Sequence, residues 1–163
     1  MHRSSADGTC RLWRLLDDSR ARLAEDGSEV AIDAAIMPHS QYIGERFKDV
    51  TSVNWSPDGE HLATGCYDGI ARVWTAMGQL QKELQEHSGP VFSLKWSKNG
   101  KYLLSGSYDK RSIVWDPETG TAVKTYLLHK APVLDVDWSD SDTFATCSSD
   151  RCGVRAYLYG KYA

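Results

Sequence analysis

Hydroxyl, imidazole and carboxylate side chains recur together in this sequence, in the combination that hydrolases use for nucleophilic catalysis. Three aspartates stand 41 residues apart, a hydroxyl side chain precedes each by four residues, and a histidine precedes two of the units. These residues are Thr64, Asp68, His87, Ser105, Asp109, His129, Thr146 and Asp150. Catalysis requires one exposed nucleophile beside a base and an oxyanion hole. Because the trio recurs once per repeat, we expect it to support the fold rather than form an active site.

A hydrogen-bonded set accounts for the same residues. A buried carboxylate needs donors, because an unpaired charge away from water is costly. An imidazole, a hydroxyl and an indole N–H can satisfy the carboxylate and one another. Trp74 and Trp115 each follow an aspartate by six residues. We therefore predict one such set in the best-formed unit, consisting of His87, Ser105, Asp109 and Trp115.

Two departures affect the neighbouring sets. Arg46 stands where the first complete unit would place its histidine, so the set around Asp68 is expected to lack an imidazole. His39, reaching in from a longer loop, is the alternative source. The last unit has Ala156 at the tryptophan position, so we expect the set around Asp150 to be weaker.

Short strands must position these side chains. Trp55, Trp96 and Trp138 end the first strand of each unit, at spacings of 41 and 42 residues. Asn99 and Gly100 form the tip of a predicted hairpin turn. Residues 87–128 contain four strand patterns separated by three turn signals. A period of roughly 40–45 residues with this content is typical of a four-stranded propeller blade.

The sequence thus predicts an all-β propeller fragment with two complete four-stranded blades and two partial blades. The predicted boundaries are 1–48 and 129–163 for the partial blades, and 49–86 and 87–128 for the complete ones. The first partial blade carries a long polar insertion, in which we expect residues 17–29 to form a solvated loop or short helix. Residues 29–37 alternate in polarity and are candidates for its outer strand. Because blades bury their faces against neighbours, open faces at both ends predict self-association.

Composition argues against several classes of function. A formal net charge of −3 and a pI near 5.9 offer no basic field to a phosphate backbone, so we expect no direct nucleic-acid binding. No apolar run approaches the ~18 residues of a membrane span, and residues 1–20 contain no signal-peptide core. The cysteines lack the paired spacing of a metal site, so we expect reduced, buried or half-buried thiols and neither metal nor cofactor. They are Cys10, Cys66, Cys147 and Cys152.

Several motifs carry a family resemblance. Residues 103–109 (LLSGSYD) and 113–116 (IVWD) resemble the WD40 repeat. More narrowly, residues 48–52, 62–74 and 131–138 resemble the transducin β-like proteins, which are WD40 subunits of nuclear co-repressor complexes containing histone deacetylase. The resemblance implies a non-catalytic protein-interaction scaffold in transcription regulation. It also implies a nuclear location, with the cytoplasm as an additional one.

The resemblance further implies where partners bind. Ligands of WD40 propellers dock on the face where the innermost strands begin. The corresponding residues are Asp49, Thr51, Tyr67, Pro90, Phe92, Tyr108, Pro132, Leu134 and Ser149. Their aromatic and apolar members fit a binding hot spot, although the tyrosines could instead pack on neighbouring loops. An acidic group could attract a basic histone tail, or consist of solvated turn residues: Asp135, Asp137, Asp140 and Asp142.

Three hypotheses for function follow. The first is the co-repressor scaffold, whose partners would be subunits of that complex or basic histone tails. The second keeps the propeller but assigns it to a ubiquitin-ligase substrate receptor or an RNA-processing scaffold. The third is a hydrolase that uses His129, Asp150 and a nearby serine.

Overall fold

The computed structural model describes residues 3–4, 8–13, 34–39 and 49–158, and all regular structure within these ranges is β-strand. Within each of the last three sheets, successive strands are joined by short turns. The strands in chain order are β1 Arg3–Ser4, β2 Thr9–Trp13, β3 Ala34–Pro38, β4 Val50–Trp55, β5 His61–Cys66, β6 Ala71–Thr75, β7 Leu80–Leu84, β8 Val91–Trp96, β9 Leu103–Ser107, β10 Ser112–Asp116, β11 Thr121–Tyr126, β12 Val133–Trp138, β13 Thr143–Ser148 and β14 Gly153–Tyr157.

These strands form four antiparallel sheets, and every sheet is made of strands consecutive in the chain. The first sheet contains β1–β3, the second β4–β7, the third β8–β11 and the fourth β12–β14. Two sheets therefore have four strands, and among the described residues the two outer sheets have three. This arrangement confirms the predicted all-β fold with two complete and two partial units.

The first sheet contains part of the predicted outer strand. β3 pairs with β2 along its whole length, with Ala34 opposite Trp13 and Pro38 opposite Thr9. The outer strand expected within residues 29–37 is thus present from Ala34 onward. The predicted loop at 17–29 and Arg46 lie outside the described residues.

Turn chemistry explains where the strands end, as the turn after β8 illustrates. The hydroxyl of Ser97 donates to Asn99 Oδ1 at 2.8 Å and accepts the backbone N–H of Tyr102 at 2.9 Å. Gly100 has a φ of +72°, which favours glycine because it has no Cβ. The predicted Asn-Gly hairpin is therefore confirmed.

Each of the last three sheets has a β-bulge near the start of its innermost strand. The register shifts between Val50 and Ser52, between Val91 and Ser93, and between Val133 and Asp135. A bulge inserts one unpaired residue and re-aims its side chain. The inserted residues are Thr51, Phe92 and Leu134.

Glycines set the spacing between consecutive sheets. A Cβ built on Gly65 would lie 3.0 Å from Val91 Cγ1, and one built on Gly106 would lie 2.8 Å from the Cγ1 atoms of both Val133 and Val136. The innermost strand of each following sheet thus packs directly on the backbone of the preceding one. Any larger residue at either glycine would push the sheets apart.

Three hydrophobic clusters fill the contacts between consecutive sheets. The first and second sheets share a cluster that includes Met37 and Trp74, and the second and third share one that includes Leu94 and Trp115. The third and fourth sheets share a cluster in which Phe144 packs edge-to-face on Trp138, with ring centroids 5.4 Å apart. The core is therefore distributed between sheets, as in other stacked repeats.

The cysteines depart from expectation in part. Cys10 and Cys66 are buried thiols, and burial raises the pKa of each to about 11. Cys147 and Cys152 are exposed, so the prediction that all four are buried or half-buried is wrong for these two. Cys147 lies on β13, where the fourth sheet has no neighbour among the described residues, and Cys152 lies in the turn between β13 and β14.

Within the described ranges, no helix is both long and apolar enough to cross a membrane.

Candidate protein-interaction site

The third sheet assembles the full predicted hydrogen-bonded set. His87 Nδ1 lies 2.9 Å from Asp109 Oδ2, and His87 Nε2 lies 2.7 Å from Ser105 Oγ. The indole Nε1 of Trp115 donates to the same Ser105 oxygen at 2.8 Å. Because the carboxylate accepts only, His87 donates from Nδ1 and its Nε2 accepts the serine proton. One chain of hydrogen bonds therefore runs from β10 through β9 to the loop before β8, and from there to the turn after β9.

Asp109 ties this set to the surface turn. Its Oδ2 accepts the backbone N–H of Ser88 at 3.0 Å and the Arg111 guanidinium at 2.7 Å. Burial alone would raise the pKa of Asp109, but the hydrogen bonds from His87 and Arg111 outweigh it and hold the pKa well below its usual range. The carboxylate is therefore ionised at neutral pH and fixes the loop to the turn.

The fourth sheet repeats this arrangement without an indole. His129 bonds to Asp150 at 3.0 Å and to Thr146 at 2.8 Å. Ala156 lies opposite Phe144, where the third sheet pairs Trp115 with Leu103. Hydrogen bonds lower the pKa of Asp150 to about 2. The bond from the backbone N–H of Lys130 contributes most, and bonds from the backbone N–H of Cys152 and from the His129 ring contribute further.

In the second sheet, the expectation of a missing imidazole requires correction. His39 is buried, and its Nε2 lies 2.7 Å from Thr64 Oγ1, which also accepts the indole N–H of Trp74 at 2.8 Å. The Nδ1 atom of His39 lies 3.2 Å from the carbonyl oxygen of Met37. His39, from the end of β3, thus takes the imidazole position beside Thr64.

An arginine takes over the other half of the second set. Arg72 NH2 lies 3.0 Å from Asp68 Oδ2, and Arg72 Nε lies 2.9 Å from Glu83 Oε1. The Arg72 side chain is only 5% exposed and that of Glu83 is 38% exposed, so a buried guanidinium links Asp68 to a carboxylate at the surface. Asp68 is therefore held by a guanidinium, where Asp109 and Asp150 are held by histidines.

The three sets bring the predicted partner-binding residues to one rim of the molecule. The turn after the second strand of each sheet bonds back to the residue before its first strand. Tyr67 donates its backbone N–H to Asp49, Tyr108 to Pro90 and Ser149 to Pro132, at 2.9, 2.9 and 3.2 Å. With the bulge residues, these six positions define the rim: Asp49, Tyr67, Pro90, Tyr108, Pro132 and Ser149, together with Thr51, Phe92 and Leu134.

Apolar side chains are exposed on this rim. Tyr108 is 57% exposed, Leu134 49% and Tyr67 41%. Phe92 packs edge-to-face against Tyr108 at a centroid distance of 6.2 Å. Large aromatic groups held by rigid turns contribute strongly to protein interfaces, because little side-chain freedom is lost on binding.

Thr51 differs from its two equivalents on the rim. Its hydroxyl donates to the carbonyl oxygen of Val91, at the start of the third sheet. Thr51 therefore joins two sheets, whereas Phe92 and Leu134 at the same bulge position are apolar. Partner contact by Thr51 stays a prediction.

The acidic residues of the fourth sheet separate into two places. Asp135 and Asp137 lie on β12 and line an open groove of about 460 Å³, which also includes Arg155. Asp140 accepts the backbone N–H groups of Asp142 and Thr143 at 3.0 and 2.7 Å, so it is a turn residue. The four carboxylates do not form one site.

The geometry offers no exposed nucleophile at these sets. Ser105 and Thr146 are buried, and both hydroxyls are engaged by histidine. Among the described residues, no group of three or more histidine, cysteine or acidic side chains is placed to hold a metal ion.

Comparison with protein families places this architecture. The family described as "WD domain, G-beta repeat" matches the chain at residues 37–75, 78–116 and 120–152, which is more than half of its length. The chain belongs to the WD40-repeat family. The hydrogen-bonded sets and the rim are therefore parts of consecutive WD40 blades.

Curated relatives narrow the likeness. The WD40 chain is 45% identical over 148 residues to "F-box-like/WD repeat-containing protein TBL1X" of Mus musculus, covering 91% of this chain and 27% of that protein. It is 47% identical over 147 residues to "WD40 repeat-containing protein HOS15" of Arabidopsis thaliana, covering 90% and 24%. This WD40 chain thus spans about a quarter of the length of these relatives.

A solved structure supports the same fold. The crystal structure of the C-terminal WD40 domain of Sif2 superimposes with a TM-score of 0.75 at 26% identity. The match covers 99% of this WD40 chain and 43% of that chain. The four sheets correspond to a fragment of a WD40 propeller.

Sequence reasoning missed two features of the site. The bulges at the start of β4, β8 and β12 leave no clear sequence signal, because a strand with one inserted residue still alternates on both sides of it. The Arg72–Glu83 ion pair could have been predicted from the opposite charges of the two residues if the pairing of β6 with β7 had been known, because Arg72 lies opposite Glu83. The sequence alone does not give this register.

Proposed function

We propose that this WD40 chain is a non-catalytic scaffold that captures partner proteins through its rim. More specifically, it would be a segment of a transducin β-like subunit of a nuclear co-repressor complex containing histone deacetylase. The likeness to TBL1X over 91% of the chain supports this assignment. Partners would then be other subunits of the complex, and the protein would reside in the nucleus.

One observation carries the proposal. The exposed side chain of Tyr108 packs edge-to-face on half-buried Phe92, in a turn that buried hydrogen bonds hold in place, and exposed Leu134 is the equivalent of Phe92 in the next sheet. A rigid aromatic patch on a polar rim has the form of an interface hot spot. The alternative for the tyrosines, packing on neighbouring loops, leaves the 57% exposure of Tyr108 unexplained.

A basic tail is a second candidate partner, and the groove on the fourth sheet favours it. Asp135 and Asp137 place two carboxylates on β12, although Arg155 reduces the local negative charge. An extended lysine-rich segment would fit such a groove. Replacing both aspartates with asparagine should weaken binding of a histone-tail peptide without affecting partners of the rim.

A ubiquitin-ligase substrate receptor or an RNA-processing scaffold would use the same rim. Identifying the proteins that co-purify with the full-length protein separates these functions from the co-repressor function. Histone deacetylase subunits support the first proposal, and a cullin or ribonucleoprotein set supports the alternative.

A hydrolase built on His129 and Asp150 receives no support from the geometry. The hydroxyl beside His129 belongs to buried Thr146, not to a serine, and substrate cannot reach it. The same set recurs in the third sheet, which is the behaviour of a structural element.

The test of the rim uses the full-length protein with Tyr67→Ala and Tyr108→Ala. Loss of such anchors should weaken partner capture about tenfold while the fold is retained. Met77→Ala is the matched control, because Met77 is an exposed apolar residue in the turn after β6, away from the rim. Capture that is equal in all three variants would refute the site.

A further inference from the structure

The exposed charges on the rim are unevenly distributed. Lys110, Lys130 and Arg151 are exposed and lie over the third and fourth sheets. Two exposed carboxylates, Asp49 and Glu86, lie on the loops before the second and third sheets, and a third, Asp135, follows Leu134 and accepts the Ser93 hydroxyl. The charge of the rim therefore becomes more positive along the direction of the chain.

The other carboxylates in the turns of the third and fourth sheets are largely enclosed. The Asp109 side chain is 5% exposed and pairs with Arg111, and the Asp150 side chain is 12% exposed, with its negative charge held by three hydrogen bonds. Among the described residues, Lys110, Lys130 and Arg151 form no ion pair. These three cations are thus available to a partner.

Two of the three cations occupy strained backbone positions. Lys110 and Arg151 have φ values of +72° and +68°, in the left-handed region that favours glycine. The equivalent position of the second sheet is Gly69, with a φ of +84°. Glycine therefore suits this turn, and a long cationic side chain at such a position is a mark of function when the fold does not need it.

The cations flank the exposed apolar patch. Lys110 is two residues from Tyr108 in the same turn, and Arg151 is two residues from Ser149 in the equivalent turn. Lys130 is fixed beside that second turn, because its backbone N–H donates to Asp150 at 2.9 Å. An apolar anchor seated on Phe92, Tyr108 and Leu134 would have Lys110 in the same turn as Tyr108, and Lys130 and Arg151 on its fourth-sheet side.

We infer that the rim over the third and fourth sheets binds an acidic peptide segment of a partner protein that carries an aromatic or aliphatic anchor. The anchor packs on the Phe92–Tyr108 pair, and acidic residues on one side of it meet Lys110, Lys130 and Arg151. This inference rests on the proposed function, since it assigns a partner class to the same rim. Charge complementarity of this kind mainly sets specificity and the rate of association.

The test measures fluorescence anisotropy of three labelled synthetic peptides with the full-length protein. The first carries a Phe-Leu anchor followed by a run of glutamates, the second has lysines for the glutamates, and the third has alanines for the anchor. We expect the first peptide to bind most tightly and to weaken as salt is raised, because exposed charge pairs are screened.

Glycine variants remove the cationic side chains without adding backbone strain, because glycine adopts a positive φ readily. Lys110→Gly and Arg151→Gly should each weaken binding of the acidic peptide about fivefold, by loss of one charge contact. Lys98→Gln is the matched control, because Lys98 is exposed in the turn after β8, at the opposite end of the sheet. Tightest binding by the lysine peptide, or an equal loss in Lys98→Gln, would overturn the inference.

Failure of the inference can be told apart from failure of the proposed function. If the lysine peptide binds and Tyr108→Ala abolishes that binding, the rim is an interaction site and only the acidic partner class is wrong. If no peptide binds and Tyr108→Ala also leaves capture of cellular partners unchanged, both are wrong.

Discussion

His39 Nε2 lies 2.7 Å from Thr64 Oγ1, although the two residues are 25 positions apart in the sequence. The contact joins the outer end of the first sheet to the second strand of the second sheet. It supplies the imidazole that the register of the second blade would have taken from position 46. The geometry shows that a histidine from a different place in the repeat can complete a WD40 hydrogen-bonded set.

Removing this imidazole should destabilise the fold. His39→Ala leaves the Thr64 hydroxyl without its acceptor and opens a cavity beside Trp74, at a cost of ~2 kcal/mol in the free energy of unfolding. Chemical denaturation of the full-length protein measures this cost. His61→Ala is the control, since His61 is only half-buried. Equal midpoints for the two variants would contradict the assigned role.

His39 should also make stability depend on pH. Burial, reinforced by the Arg72 charge, lowers the pKa of His39 from 6.5 to about 4. Between pH 6.5 and pH 4 the unfolded chain therefore binds a proton at this histidine that the folded chain does not bind. As a result, the free energy of unfolding has its full value above pH 6.5 and decreases as the pH falls toward 4. The loss reaches at most ~3 kcal/mol over that window.

A His39→Gln variant isolates this contribution. Its unfolding free energy should be lower at pH 7 but should fall less between pH 6.5 and pH 4 than that of the parent. Parallel pH profiles for the two proteins would show that another group is responsible.

The indole of Trp115 should contribute through its N–H as well as its size. Trp115→Phe keeps an aromatic ring but removes the donor to buried Ser105, which should cost ~1–3 kcal/mol. Thermal or denaturant unfolding gives the value. Phe144→Leu, a fully buried aromatic change without loss of a hydrogen bond, calibrates the packing component. A cost for Trp115→Phe no greater than that of Phe144→Leu would argue against the hydrogen bond.

The strained turn positions predict a stabilising substitution. Arg151→Gly relieves a left-handed backbone at a φ of +68°, and should raise the unfolding free energy by ~0.5–1 kcal/mol after the entropy of glycine is counted. Gly69→Ala is the opposite change in the equivalent turn, and its Cβ would lie 3.2 Å from the carbonyl oxygens of His87 and Gly89. It should be destabilising, and the reverse order of the two variants would refute the argument.

The spacing between sheets predicts a further contrast between glycines. Gly106→Ala places a methyl group 2.8 Å from side chains of Val133 and Val136, and should cost ~1–3 kcal/mol through overpacking. Gly153→Ala is the control, because the nearest atom to its Cβ is 4.0 Å away. Similar melting temperatures for the two variants would show that the sheets adjust freely.

Self-association through the open faces also stays a prediction, which sedimentation analysis of the chain would test.

Much of this architecture could be predicted because the chain repeats itself. The 41-residue spacing of Asp68, Asp109 and Asp150 fixes one unit length, and Asn-Gly or Asp-Gly turns mark strand ends in the second and third units. The third-sheet set followed from the need of a buried carboxylate for donors. The second-sheet set did not, because His39 reaches Thr64 through tertiary packing, and periodicity carries no information about a residue outside the period.

The exposed cysteines show a related difficulty. Cys147 lies opposite Asp135 in the register that pairs Gly65 with Ser52 and Gly106 with Ser93. Its position in the repeat is therefore that of a residue covered by the following sheet. Whether a residue at this position is buried depends on whether a following sheet packs against it, and the type of residue alone does not predict its burial.

The placement of β9 at the centre of the described sheets has a consequence for hydrogen exchange. All five of its residues are buried, and its sheet is packed on both sides, whereas β14 has exposed residues at alternate positions. In a stacked array, opening is easiest where a unit has one neighbour. Amide protons of β9 and β10 should therefore exchange slowest with deuterium, and protection should decline outward toward β2 on one side and β14 on the other.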